Sequence, residues 1–325
     1  MADKKGKLAP SSIGGQAVLE GIMMRCKDDY AVAVRKPDGE IEVDVHRGYK
    51  GIGKGKKFTK LPFIRGVFAF VDSMVLGIKT LTYSASFYED EEEKKKEDKK
   101  EQDGKWDSLL MGLTVLFSVA LSIGLFMVLP YFLSDFLLYQ KLGWIGKGAV
   151  PVLEGIVKLI LFILYIWAVS FMQDIKRTYR YHGAEHKCIN CLESGKTLTV
   201  EHVRESSRFH KRCGTSFLFL VMIISIAFFM AIRSDHIWLQ YVLRILLVPL
   251  IAGVSYELIK FAGSRDNWLV DVISAPGKLL QRLTTSEPDD SMIEVAIRSV
   301  EAIYDWRTYL KENGVQVEET EHEEV

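Results

Sequence analysis

"LLMGLTVLFSVALSIGLFMVLPYFL", Leu109 to Leu133, runs for 25 residues without a charged side chain. A helix rises about 1.5 Å per residue, so crossing a bilayer core takes about 20 predominantly apolar residues. This stretch therefore predicts a membrane span, and it sets the class of the chain. Three more apolar runs come after it. Pro151 to Met172 is interrupted by Glu154 and Lys158, Thr215 to Ile232 is uncharged, and Ile237 to Phe261 carries Arg244 and Glu257. The expectation is a mainly α, polytopic helical membrane protein with about four transmembrane helices inside residues 107–265.

The remainder of the composition fits a chain divided between lipid and water. Among 325 residues, 42 are basic and 42 acidic, so no net field draws the protein to nucleic acid, and the expected partner is the lipid bilayer. The start, "MADKKGKLAPSSIGGQAV", is basic with no apolar stretch behind it, and no cleaved signal peptide is expected. Nine Lys and Arg residues lie between Lys176 and Arg212, whereas the loop after the first span holds only Lys141 and Lys147. The positive-inside rule then makes the central loop, 174–214, cytoplasmic, and with four spans both termini as well.

Three soluble segments flank the spans. Residues 1–60 contain "YAVAVRKPDGEIEVDV", which alternates around Pro37-Asp38-Gly39 and predicts a small β-hairpin element. Before it, "GGQAVLEGIMMR" reads as a short helix entered through glycines. Residues 61–106 open with Phe63, Val67, Phe70, Val71, Met74, Ile78 and Leu81 at helical spacing, and Arg65, Asp72 and Lys79 form a polar stripe at steps of seven. An amphipathic helix over 61–87, at the membrane surface or against the bundle, is expected, with a fifth span as the alternative. The run at 89–103 is a mixed-charge linker. In 266–325, "LTTSEPDDSMIEVAIRSVEAIYDW" predicts a capped, amphipathic C-terminal helix, and "EETEHEEV" a disordered acidic tail.

Metal chemistry concentrates in "YHGAEHKCINC", Tyr181 to Cys191. His182 and His186 stand four apart, so on a helix they share a face and can hold one ion. With Glu185 they form His-x-x-Glu-His, the inverzincin order, in which the glutamate is the base for the water that zinc activates. The bland alternative is a pair of surface histidines, and Gly183 weakens the helix. His202 and His210 place four of the seven histidines within 29 residues, and Cys213 comes three residues later. A competing, closed and structural zinc site would use Cys188-x-x-Cys191 with His210-x-x-Cys213. The fourth cysteine is Cys26; in a reducing cytosol all four are thiols or ligands rather than disulfides.

Charges within the spans admit two readings each. Glu257 belongs near the cytoplasmic end of its span, as a third ligand or a partner of one, or else as a salt bridge to Lys260. Glu154, Lys158 and Arg244 lie at similar depth and neutralise one another, or else line a transport path. Glu287, Asp289, Asp290 and Glu294 look like ligands, but acids at a helix start also stabilise its dipole. "GIGKGKKF" lacks the spacing of a phosphate-binding loop.

Four blocks, "GGQAVLEGIMMR", "YHGAEHK", "HKRCGTSF" and "LTTSEPDDSMIEVA", together resemble the YqhQ-like bacterial membrane proteins of the DUF1385 family, over residues 13 to about 300. The resemblance implies a bacterial inner-membrane protein, described as a metal-dependent enzyme whose reaction is not established. The matching positions are Glu20 and Arg25; His182, Glu185, His186 and Lys187; His210, Arg212 and Cys213; and Glu287, Asp289 and Asp290. Cys188 and Cys191 are less fixed in that pattern. The leading expectation is a divalent metal, zinc, on His182 and His186, completed by Glu257, His210 or Cys213, with Glu185 as general base. The reaction would be hydrolysis of an unknown membrane-associated substrate, peptide or lipid. The alternatives are a scaffold whose zinc folds the loop, joined to a protein partner, and a transporter using Glu154, Arg244 and Glu257.

Overall fold

The computed structural model describes residues 8, 10–52, 59, 61–88, 105–143, 146, 149–231, 237–263 and 268–316. The charged linker and the acidic tail lie outside them. The N-terminal segment is larger than a hairpin. Strands β1 (Ile13–Val18), β2 (Gly21–Cys26), β3 (Asp29–Arg35) and β4 (Ile41–His46) form one antiparallel sheet in the order β1-β2-β3-β4. The expected hairpin is β3–β4. The expected short helix at 14–25 is instead the β1–β2 hairpin, with Glu20 at φ 48° in its two-residue turn. Its strands are apolar on both faces, so they show no alternation, and a short apolar run cannot be told from a helix by period.

Both faces of the sheet are covered. On one, Ile13, Ile22, Met24 and Ala33 join a core with Tyr181, Ala184, Cys188 and Leu192 of α4 (Gln173–Glu193) and Met292, Val295 and Ala296 of α9 (Asp290–Glu301). On the other, Val18, Met23, Tyr30, Val32 and Val34 pack on Leu76 of α1 (Ile64–Ala85). Asp289 caps α9 by accepting from the Met292 N–H at 3.0 Å, which gives the tail helix its expected start. The short helices α5 (Val200–Glu205) and α10 (Trp306–Glu312) close the core.

Helix α1 forms as the spacing predicts, and its polar stripe turns inward. Arg65 donates to Glu257 through Nε at 2.6 Å, Asp72 accepts from Arg25 at 2.7 Å, and Lys79 donates to the Tyr30 hydroxyl at 3.1 Å. Its apolar residues Val71, Met74, Val75, Ile78 and Leu81 are exposed. A helix with its charges against protein and its hydrocarbon outward is built to lie against lipid.

Among the described residues, four helices are long and apolar enough to cross a membrane. The first, α2, begins at Lys105–Ile123 and continues through π-helical turns to Lys141, and its apolar span is Gly112–Lys141. The others are α3 (Val150–Val169), α6 (Gly214–Ala231) and α7 (Ile237–Gly263), with Val242–Phe261 the apolar part of α7. Gly155 of α3 meets Ile226 near the end of α6, so these two run antiparallel. The charges in the spans are paired as expected, since Arg244 grips buried Glu154 at 2.6 and 2.9 Å. Then α8 (Trp268–Thr284), an element with no counterpart among the sequence expectations, packs on α6 and returns the chain to α4.

Asp72 ties α1 to the sheet, accepting also from the Tyr49 hydroxyl and the Ile52 N–H, both at 3.0 Å. Burial alone would raise its pKa, but Arg25 and these donors hold it below the usual carboxylate range. That contribution is complete above the unfolded value of about 3.9 and disappears as pH falls through the depressed folded value. Asp72→Asn should therefore cost about 1–3 kcal/mol at neutral pH. Thermal unfolding in detergent should show the gap to wild type closing in acid; a gap independent of pH would contradict this account.

Candidate metal centre

Helix α4 carries the site, and it is buried from Tyr181 through Ile189 save half-buried His182. Such burial demands close approach on several sides. A Cβ on Gly183 would stand 2.0 Å from the Ser286 carbonyl oxygen, so only glycine lets the 285–289 segment lie across the helix. The Ser286 N–H donates to the Tyr179 carbonyl at 2.9 Å in the same contact. The helix penalty of Gly183 is thus offset by packing. On the opposite side, a Cβ on Gly15 would come within 2.9 Å of Glu185 Cγ.

Three side chains of α4 gather the loop that leaves α5. His186 Nδ1 donates to the Arg208 carbonyl at 2.7 Å. Lys187 donates to the carbonyls of Arg204 and Ser206 at 2.8 and 2.9 Å, and Asn190 to those of Ser207 and Phe209 at 2.6 and 3.0 Å. From α8, buried Gln281 accepts from the His210 N–H at 2.9 Å and donates to its carbonyl at 2.8 Å. The loop is thereby fixed where it enters α6, and Cys213 arrives beside α4.

The outcome is a three-donor group. Ligand atoms of His182, His186 and Cys213 all lie within 4.8 Å of one another, the only such group of His, Cys, Asp and Glu among the described residues. His182 Nδ1 donates to the Thr284 carbonyl at 2.9 Å. A carbonyl can only accept, so in each neutral ring Nδ1 carries the proton and Nε2 is left as the free lone pair. His182 Nε2 lies 3.3 Å from Cys213 Sγ, and His186 Nε2 is buried with no hydrogen-bond partner. An orphaned nitrogen beside a thiol and a second imidazole is what a bound cation would satisfy.

The electrostatics agree. Burial alone would lower His182, but Cys213 beside it raises the imidazole to about 9. Burial would raise the Cys213 thiol, but the two imidazoles hold it well below its usual range, toward the thiolate that binds metals. Burial pushes Glu185 above the usual carboxylate range, against the pull of the same imidazoles. Its Oε2 is also buried without a partner. A cleft of about 820 Å³ reaches His182, Glu185, His210 and Cys213 from between α1, α4 and β1.

The other sequence candidates sit elsewhere. Cys188 and Cys191 point into the apolar core, so the closed four-ligand set is not assembled. Glu257 is held by Arg65 rather than Lys260 and takes no part in the group. His210 adjoins it, with its ring 5.7 Å from His186 and its Nε2 3.8 Å from Glu193. His202 contacts Thr197 at 2.8 Å. Glu20 binds Arg177 and accepts from the Tyr181 hydroxyl at 3.3 Å, fastening the β1–β2 turn to α4. Arg25 serves Asp72, and Arg212 binds Glu193 and the Ser11 carbonyl. Glu287, Asp289 and Asp290 pair with Lys187, Arg180 and Arg204 at 2.9, 2.9 and 2.5 Å. Sequence reasoning missed Gln281, whose signal is polarity beside buried Leu280, and gave no role to Thr284, which lies within the quoted block "LTTSEPDDSMIEVA".

The family profile described as "Protein of unknown function (DUF1385)" matches residues 61–306. The chain belongs to the DUF1385 family. It is 35% identical over 294 residues to "Uncharacterized protein YqhQ" of Bacillus subtilis (strain 168), covering 89% of this chain and 91% of that one. No solved structure matches it. The DUF1385 match spans α1, the four apolar helices, the His182, His186 and Cys213 group and α9, while the sheet lies before it.

Gly183→Ala should destabilise by about 1–3 kcal/mol through overpacking against Ser286. Gly112→Ala, with open space around it, should be neutral or slightly stabilising. Melting curves of the two variants decide this, and equal effects would show that the close approach at Gly183 is not limiting.

Proposed function

We propose that this protein is a metal-dependent membrane hydrolase whose zinc is held by His182, His186 and Cys213. The convergence of these donors near Glu185, whose Oε2 is buried without a partner, in a cleft, is the observation that carries the reading. Two imidazoles and a thiolate suit zinc, and three protein ligands leave a position open, as catalytic sites do. A zinc ion there supplies Lewis acidity and a nucleophile at neutral pH. Glu185 takes and returns a proton at Oε2. His186 and His182 are oriented by the carbonyls of Arg208 and Thr284, and Arg212 and Gln281 hold the Cys213 segment in place. The nine cations around this loop support a site on the cytoplasmic face of a bacterial membrane.

A scaffold has one observation in its favour, since an ion between these donors also staples α4 to the start of α6. The transporter reading finds its charges engaged, Arg244 with Glu154 and Arg65 with Glu257.

Metal content by mass spectrometry on detergent-purified protein tests the site. About one zinc per chain is expected in wild type, Glu185→Gln and Cys191→Ala, and none in His186→Ala. Hydrolysis of lipid and peptide substrates should fall at least 100-fold in Glu185→Gln with zinc retained. Undiminished function in that variant would favour the scaffold, and no metal in wild type after reconstitution with zinc would remove the centre altogether.

A further inference from the structure

The edge of the sheet borders the cleft. Among the described residues strand β1 pairs with β2 alone, and Val18 faces Gly21 across a two-residue turn. In such a hairpin the closing pair exchanges both its hydrogen bonds, and pairs then alternate. Gly14, Gln16 and Val18 therefore spend their backbone groups on β2, while Ile13, Gly15 and Ala17 turn theirs outward. Glu185 packs directly against this stretch, because a Cβ on Gly15 would stand 2.9 Å from its Cγ. Among the described residues nothing pairs with the outward N–H and C=O of Ala17 or the C=O of Gly15. Ile13, Gly15 and Ala17 all line the cleft. Backbone groups in a part-buried groove need partners, and an open strand edge is a template for another strand.

The walls complete the picture. On one side stand His182 and Glu185 of α4; on the other, Ser73 and Leu76 of α1. Leu218 of α6 and Tyr256 of α7 close the end nearest the bilayer. A strand laid along β1 would direct alternate side chains to α1 and to α4, and the six-residue edge is about 20 Å long.

We propose that the cleft binds an extended polypeptide, a segment next to the membrane in another protein, as a fifth strand on the edge of β1. The inference rests on the hydrolase reading for the chemical step after binding, and makes the substrate a peptide rather than a lipid. A bound strand passes its carbonyls beside the metal group while its amides meet Gly15 and Ala17. Hydrolysis adds water across the C–N bond. The oxygen joins the carbonyl carbon, Glu185 takes the water's proton, and that proton goes to the departing amine.

The test uses full-length, metal-free protein immobilised in detergent micelles and a randomised octapeptide pool, with enriched peptides identified by mass spectrometry. Ala17→Pro removes the outward N–H and leaves the β2 ladder intact, as proline at a sheet edge can. Ser73→Trp fills the cleft from α1 without touching the strand. Peptides should be retained by wild type and lost at least tenfold in both variants, and methylation of alternate peptide amides should have the same effect. Retention indifferent to both variants, or none above the Ala17→Pro background, would overturn the proposal. So would a co-purifying phospholipid that Ser73→Trp displaces while no peptide is enriched. Because binding is read without metal, failure here is distinct from failure to find zinc in the reconstituted protein.

Discussion

Burial of the second half of a polar helix is the constraint on which this structure turns. Helix α4 brings Glu185, His186 and Lys187 into the interior, each no more than 5% exposed. A buried polar group without a partner costs about 1–3 kcal/mol, so the surroundings must supply partners. The loop before α6 offers its carbonyls to His186, Lys187 and Asn190, and the end of α8 offers Thr284 to His182. Two atoms are left over, His186 Nε2 and Glu185 Oε2. They lie where the third donor, Cys213, arrives. The same satisfaction that shapes the loop thus marks the candidate centre by its exceptions.

Helix α1 mediates between the sheet and the apolar helices. Its first turn is pinned to α7 by Arg65 and Glu257, and a Cβ on Gly66 would meet Tyr256 Cβ at 2.6 Å. Farther along, Asp72, Leu76 and Lys79 seat it on the sheet. One helix therefore fixes how far the sheet, with the free edge of β1, stands from the apolar helices. Its hydrocarbon is exposed, as are Leu246 and Val248 of α7. The cleft is consequently walled by the polar helix that carries His182 and Glu185 on one side and by α1, with its exposed apolar face, on the other.

Much of this was legible in the residues. Span length and apolarity identify four helices because a bilayer imposes one length on any helix that crosses it. Spacing of 3.6 residues announces α1 and α9, and a four-residue step sets His182 above His186. The β1–β2 hairpin was not legible, because both its faces are covered and alternation disappears. Nor was the choice among donors. Cys188 and Cys213 are equally good ligands in sequence, yet one faces the apolar core and the other the imidazoles. Glu257 was lost to Arg65, 192 residues away.

The sequence by itself determined the elements, the apolar share of each and the residue types able to bind a metal, since these arise from local period and side-chain chemistry. Tertiary structure alone decided which donors converge, which face of α1 is exposed and which strand lies at the edge of the sheet among the described residues. Those depend on contacts between segments up to hundreds of residues apart, such as the Ser286 carbonyl seated on Gly183, and no local pattern encodes them.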